Sequence, residues 1–143
     1  MEKLGICSDH AGFELKEYLK CYLAGLGFEI VDFGTYSAES CDYPDFAHQL
    51  GSAIDNGDLN RGVAICGSGN GITMTLNKHS KVRAALCWSP EIAALATQHN
   101  NANICSLPAR FISNEEAVSI LDAYFDADFV GAHHQIRIDK IPL

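Results

Sequence analysis

One segment of the chain, Cys66-Gly67-Ser68-Gly69-Asn70-Gly71, joins a nucleophilic side chain to a glycine-dense backbone. Three glycines in five residues let successive N–H groups turn toward one point. A helix starting there adds a potential that favours negative charge. A thiol in that position tends toward a lowered pKa, so Cys66 is expected to offer some thiolate near neutrality. The thiolate can serve as nucleophile or as general base. The loop suits a reaction in which an oxygen becomes negative: an enolate, an enediolate or a tetrahedral acyl intermediate. A tight turn that only permits close packing is the plainer reading of the same glycines. Neither a Gly-x-Gly-x-x-Gly dinucleotide fingerprint nor the Gly-Lys-Ser/Thr ending of a Walker loop is present.

The elements that must hold this loop follow from hydrophobic spacing. Leu4–Cys7, Glu29–Phe33, Gly62–Cys66, Val82–Cys87 and Ala102–Leu107 read as strands. Helical spacing covers Phe13 to Leu26, closing at Gly25 and Gly27, a stretch opened by Pro44, a short run to about Lys78, Pro90 to about Gln98, and Asn114 to Phe125. Ser113 is the expected cap of the last, with Glu115 and Glu116 in its first turn. Residues 131–143 are too polar for a core element and too apolar for a free tail, and are expected to pack on a partner subunit. Strand–helix alternation of this kind predicts one α/β domain over residues 1–143: a three-layer, Rossmann-like five-stranded parallel sheet with helices on both faces.

In such a sheet ligands bind outside the carboxyl ends of the strands. Asp9-His10, Asp42-Tyr43 and the Cys66 loop all fall there, as does Arg110 after the fifth strand. His99-Asn100 follows the helix after strand four and therefore belongs near the opposite edge. A catalytic His99 must come from a second subunit; read alone, the pair is a helix C-cap. Arg61 and Arg83 begin strands, away from the site. Arg137, with His133 and His134, reads from spacing alone as surface charge. His48 and His79 read as helix-surface residues, and Trp88 as packing behind Pro90.

Composition narrows the classes of function. A hydrophobic content of 48% against 20% charged residues argues against disorder. The net charge of −8 disfavours general nucleic-acid binding but leaves room for a small anion on a local cationic cluster. Six dispersed cysteines without a Cys-x-x-Cys pair support neither a metal site nor a disulfide framework; most are expected to be small buried hydrophobes. No apolar run approaches the roughly 18–20 residues of a membrane span, and the N-terminal run is too short for a signal peptide. A soluble, cytoplasmic protein is expected.

Four motifs occur in order: Ser8-Asp9-His10-Ala11-Gly12, Asp42-Tyr43-Pro44-Asp45, the Cys66–Gly71 loop with Asn77-Lys78, and Gln98-His99-Asn100 with Asn103. Together they resemble the B-type ribose-5-phosphate isomerases, whose wider family includes allose-6-phosphate and galactose-6-phosphate isomerases. The resemblance spans essentially the whole chain. It implies a cofactor-free, metal-independent aldose–ketose isomerase that works through an enediolate. Cys66 is then the base, Gly67, Ser68, Gly69, Asn70 and Gly71 the anion hole, His99 the acid for ring opening, and Asn100 a substrate ligand. Asp9, His10 and Tyr43 contact the sugar, while Arg110 and Arg137 hold the phosphate. It also implies homodimers with shared sites, sometimes paired into tetramers. His133 stands where several relatives carry arginine. Its partial charge is expected to weaken phosphate binding as pH rises, or to make room for a six-carbon substrate.

Other readings remain at this point. A hexose 6-phosphate isomerase of the same family differs only in substrate. A non-catalytic sugar-phosphate sensor would not need both Cys66 and His99. A thiol redox protein lacks a resolving cysteine nearby.

Overall fold

The computed structural model describes all 143 residues. The chain runs β1 (Lys3–Ser8), α1 (Phe13–Gly25), β2 (Glu29–Asp32), α2 (Tyr43–Asp55), β3 (Arg61–Cys66), α3 (Asn70–Leu76), β4 (Ala84–Leu86), α4 (Pro90–Gln98), β5 (Ile104–Pro108), α5 (Asn114–Asp126) and α6 (His133–Asp139). The five strands form one parallel sheet in the order β2-β1-β3-β5-β4. It is the α/β layered fold that the alternation predicts.

Strand order and crossover hand together assign the helices to faces. From β1 to β2 and from β4 to β5 the chain steps one way across the sheet; from β2 to β3 and from β3 to β4 it steps the other. Right-handed crossovers then put α1 and α4 on one face and α2 and α3 on the other. The cores agree. Leu15, Leu19 and Leu23 of α1 pack with Ala93 and Ala96 of α4 and with Ile120, Leu121 and Tyr124 of α5. Ala47, Leu50, Ala53 and Ile54 of α2 pack with Ile72 and Leu76 of α3. The chain reverses its direction of travel between β1 and β3, so a crevice opens where Ser8 lies beside Ile65.

Three local expectations change. The fourth strand is shorter than Val82–Cys87, because two side chains take over part of the backbone hydrogen bonding at its start. Asn77 donates to the Ala84 carbonyl at 3.0 Å and accepts its N–H at 2.8 Å. Asn103 treats Lys81 and Arg83 likewise, at 2.7 and 2.8 Å. These two asparagines therefore act on the backbone of an edge strand. Residues 133–139 form a helix that the sequence reading missed. Only Ile138 of it is buried, and seven residues are too few for a periodic pattern to register. Trp88 is 60% exposed rather than packed behind Pro90, since it lies just beyond the end of the edge strand. The Ser113–Glu116 capping box of α5 is as the cap residues predicted.

Lys16 of α1 is fully buried, a feature with no signal in the sequence. Its Nζ lies 2.6 Å from Asp32 and 3.1 Å from Glu17. Asp32 also accepts the Gly34 N–H at 2.8 Å, and so ties the loop after β2 to α1. Burial would raise the Asp32 carboxyl, but bonds from Lys16, Lys20 and Gly34 outweigh it and hold the group below its ordinary value. A lowered carboxyl contributes stability above the unfolded-state range and loses it as pH falls through the folded value. Lys16→Met is expected to cost about 1.5–3 kcal/mol in a urea melt at neutral pH, with Lys20 retaining part of the Asp32 interaction. The deficit should shrink as the melt is moved to acid.

Candidate active site

A cleft of about 470 Å³ opens at the β1/β3 crevice. It is lined by Asp9, His10, Ala11, Tyr43, Cys66, Gly67, Ser68, Gly71, Arg110 and Phe111. The three strand-end segments expected to converge do so, joined by the residues after β5. A larger groove of about 690 Å³ lies between the C-terminal tail and the turn from α3 to β4, and contains neither Cys66 nor the glycine loop.

Each glycine of the loop has a separate reason to be glycine. Gly69 alone adopts a positive φ, +77°, and packs on Leu86. A Cβ on Gly67 would meet the Arg110 guanidinium at 3.2 Å, so the missing side chain lets that cation lie against the loop. A Cβ on Gly71 would stand 2.4–2.7 Å from the Tyr43 ring and hydroxyl. Close packing or backbone angle thus accounts for each of these glycines. Within the loop only the Asn70 N–H is spent, on Ser68 Oγ at 3.2 Å. The N–H groups of Gly67, Ser68, Gly69 and Gly71 donate to no protein acceptor. Two carbonyls at the start of the loop are held: Arg110 N–H donates to Gly67 O at 3.0 Å, and Ala109 N–H to Cys66 O at 2.9 Å. Gly71→Ala should displace the Tyr43 ring and raise KM about ten-fold with a smaller change in kcat, measured by steady-state kinetics.

Around the loop, the Asp9 carboxylate accepts the Gly12 N–H at 3.1 Å, pinning the start of α1. His10 Nδ1 accepts the Cys41 N–H at 3.2 Å. The neutral ring must then carry its proton on Nε2. Sequence reasoning missed this role for Cys41, which is a backbone contact with no compositional signature. It also missed Ala11 and Phe111 as lining residues. Of the other cysteines, Cys7, Cys87 and Cys105 are buried, while Cys21 is exposed and Cys41 half-buried. Burial pushes the Cys7 thiol up, and its bond to Cys87 does the same for Cys105, so neither competes as a thiolate.

His99, Asn100, His133 and Arg137 are not in this cleft. His99 caps the C-terminus of α4, as the chain direction predicted. Arg83, just before β4, donates to the carbonyls of Asn100 and Asn101 at 3.2 and 2.7 Å, which places them at the far edge of the sheet. His133 and Arg137 lie on α6. The His134 ring stacks on His99, centroids 4.2 Å apart and planes 14° from parallel. Arg61 is paired with Glu2 at 2.7 Å and lies away from both groups. His48 and His79 bond each other at 2.8 Å, and His79 bonds Asp55 at 3.0 Å, so His79 is more than a free surface residue.

Residues 4–141 match the family described as Ribose/Galactose Isomerase, with its parallel α/β sheet; the chain belongs to that family and is an isomerase. Among its relatives there are ribose-5-phosphate isomerases B and proteins named as putative sugar phosphate isomerases. The Escherichia coli ribose-5-phosphate isomerase B is 38% identical over 141 residues, 99% of this chain and 95% of that one. A ribose 5-phosphate isomerase structure from Thermotoga maritima superposes with a TM-score of 0.95 at 47% identity, covering 98% and 97% of the two chains. The Mycoplasma genitalium ribose-5-phosphate isomerase B with bound ribulose-5-phosphate gives 0.92 at 42% identity, covering 97% and 93%. No helix of this chain is long and apolar enough to cross a membrane.

Proposed function

We propose that the protein interconverts ribose 5-phosphate and ribulose 5-phosphate through an enediolate, without cofactor or metal, with Cys66 as the base. The observation that carries this reading is the buried Cys66 at the mouth of a loop whose Gly67, Ser68, Gly69 and Gly71 amides are all free. The Cys66 thiolate removes the C2 proton of the open-chain aldose. The electron pair passes to the C1 oxygen, which becomes the anion held by those amides. The thiol returns the proton to C1 while the O2 hydroxyl proton moves to O1, leaving the ketone at C2. Removing one donor from such an anion hole typically costs roughly 2.7–4 kcal/mol of transition-state stabilisation.

Substrate enters as a furanose. Protonated His99 gives its proton to the ring oxygen as the C1–O4 bond breaks, and the anomeric hydroxyl releases its proton to water. In one chain His99 and Cys66 stand at opposite edges of the sheet, so a partner subunit supplies His99 and Asn100. The same partner brings residues 131–143, with His133 and Arg137 on the phosphate beside Arg110. Asp9, His10 through Nε2–H, and Tyr43 bind the sugar hydroxyls. The smallest complete unit is a homodimer, and dimers can pair into tetramers.

His133 leaves a hexose 6-phosphate as the second reading. The test is isomerisation of ribose 5-phosphate beside allose 6-phosphate and galactose 6-phosphate by the purified protein. Preference for the pentose is expected; activity on a hexose phosphate alone would move the substrate and keep the chemistry. Binding of all three without turnover would replace the enzyme by a sensor. With ribose 5-phosphate, His133→Arg, which puts a permanent planar cation beside the phosphate, should lower KM with kcat changed far less.

A further inference from the structure

The three imidazoles at the end of α4 form a stack with His134 in the middle. His134 faces His99 at 4.2 Å and His133 at 4.0 Å, the latter tilted by 41°. Arg137 follows one turn along α6. No carboxylate oxygen lies within 4.0 Å of a ring nitrogen of any of the three, since the one histidine ion pair of the chain is His79–Asp55. Two adjacent imidazolium rings repel, whereas an imidazolium over a neutral aromatic face is attracted. The pair therefore favours one proton, and the surroundings decide where it goes.

His99 sits at the C-terminus of the nine-residue α4, where the helix dipole favours a cation. His134 lies in the first turn of α6, where the helix dipole disfavours one. Burial pushes the His134 ring below the ordinary histidine value, and the charges of His133, His99 and Arg137 push the same way. The stack is rigid at its base. Val130 N–H donates to Gln98 O at 2.9 Å, and Thr97 Oγ1 donates to Tyr124 O at 2.8 Å, tying the end of α4 to the chain leading into α6 and to α5.

We propose that His134 is a positioning residue for His99: its uncharged ring is the flat face on which a protonated His99 rests, keeping the shared proton on His99. This rests on the reading of His99 as the acid that opens the sugar ring. His134 itself need not touch substrate.

The test combines ring-¹⁵N histidine titrations with kinetics on the intact protein. His99 should bind its proton at higher pH than His134. His134→Ala should lower kcat for ribose 5-phosphate about ten-fold, with KM changed far less and the acidic limb of the pH profile displaced. His134→Phe, which keeps the face and cannot titrate, should restore the rate and the limb. A reversed titration order, an alanine variant at full rate, or a phenylalanine variant as slow as alanine would each overturn the proposal. A wild-type protein inactive on every sugar phosphate would reject the isomerase mechanism instead, and the titration order would still decide the stack.

Discussion

A Cys66→Ala protein is expected to fold normally and to lose about 10²–10⁴-fold in kcat for ribose 5-phosphate, with KM changed far less. The thiol is 4% exposed at the end of β3, and its backbone carbonyl is fixed by Ala109. Alanine keeps the strand, the turn and the free amides, and removes only the sulfur. Binding should survive, because the anion hole, Arg110, His10 and Tyr43 are untouched. Only proton transfer between C2 and C1 loses its carrier. Cys66→Ser sharpens the comparison: the hydroxyl fills the same space but does not ionise near neutrality, so it should be nearly as slow as alanine. Thermal melting, calorimetric binding of ribose 5-phosphate and steady-state kinetics check the three parts. A folded alanine variant keeping more than about a tenth of the wild-type kcat would show that another group moves the proton.

Mixing two inactive proteins should restore activity. Cys66→Ala leaves a chain with an intact His99, and His99→Ala leaves one with an intact Cys66. In a two-fold dimer whose sites draw one residue from each subunit, a mixed dimer has one doubly defective site and one complete site. Random exchange after co-refolding should therefore return about a quarter of the wild-type kcat per chain, against near-zero for either variant alone. The expectation follows from chain direction. α4 runs against the strands, so its C-terminal His99 ends near the start of β5, while Cys66 ends β3 at the other edge. A mixture as inactive as its components would place both residues in one subunit's site, and a His99→Ala protein active by itself would remove His99 from the chemistry.

The segments that meet in the cleft were legible because each lies in the connection that leaves a strand, and a parallel sheet sends all strand ends to one edge. Asp9, His10, Tyr43, Cys66 and Arg110 needed no further knowledge to be grouped. The roles of the three loop glycines were not legible. Glycine composition alone does not say that Gly67 makes room for Arg110, Gly71 for Tyr43, and that only Gly69 requires a left-handed backbone. Lys16 reads as one more charge among those of α1, yet it is buried against Asp32, sixteen residues away.

By itself the sequence determined every strand and every helix but α6, that the sheet is parallel, and at which edge each reactive side chain stands. These depend on hydrophobic period and chain direction, which are properties of neighbouring residues. Tertiary structure decided that β5 inserts between β3 and β4, that Asn77 stands in for a strand beside Ala84 while Asn103 extends the β5 side to Arg83, and that His134 stacks on His99. Those outcomes depend on contacts between residues 7 to 42 positions apart, where packing geometry selects among arrangements that the local pattern leaves equally open.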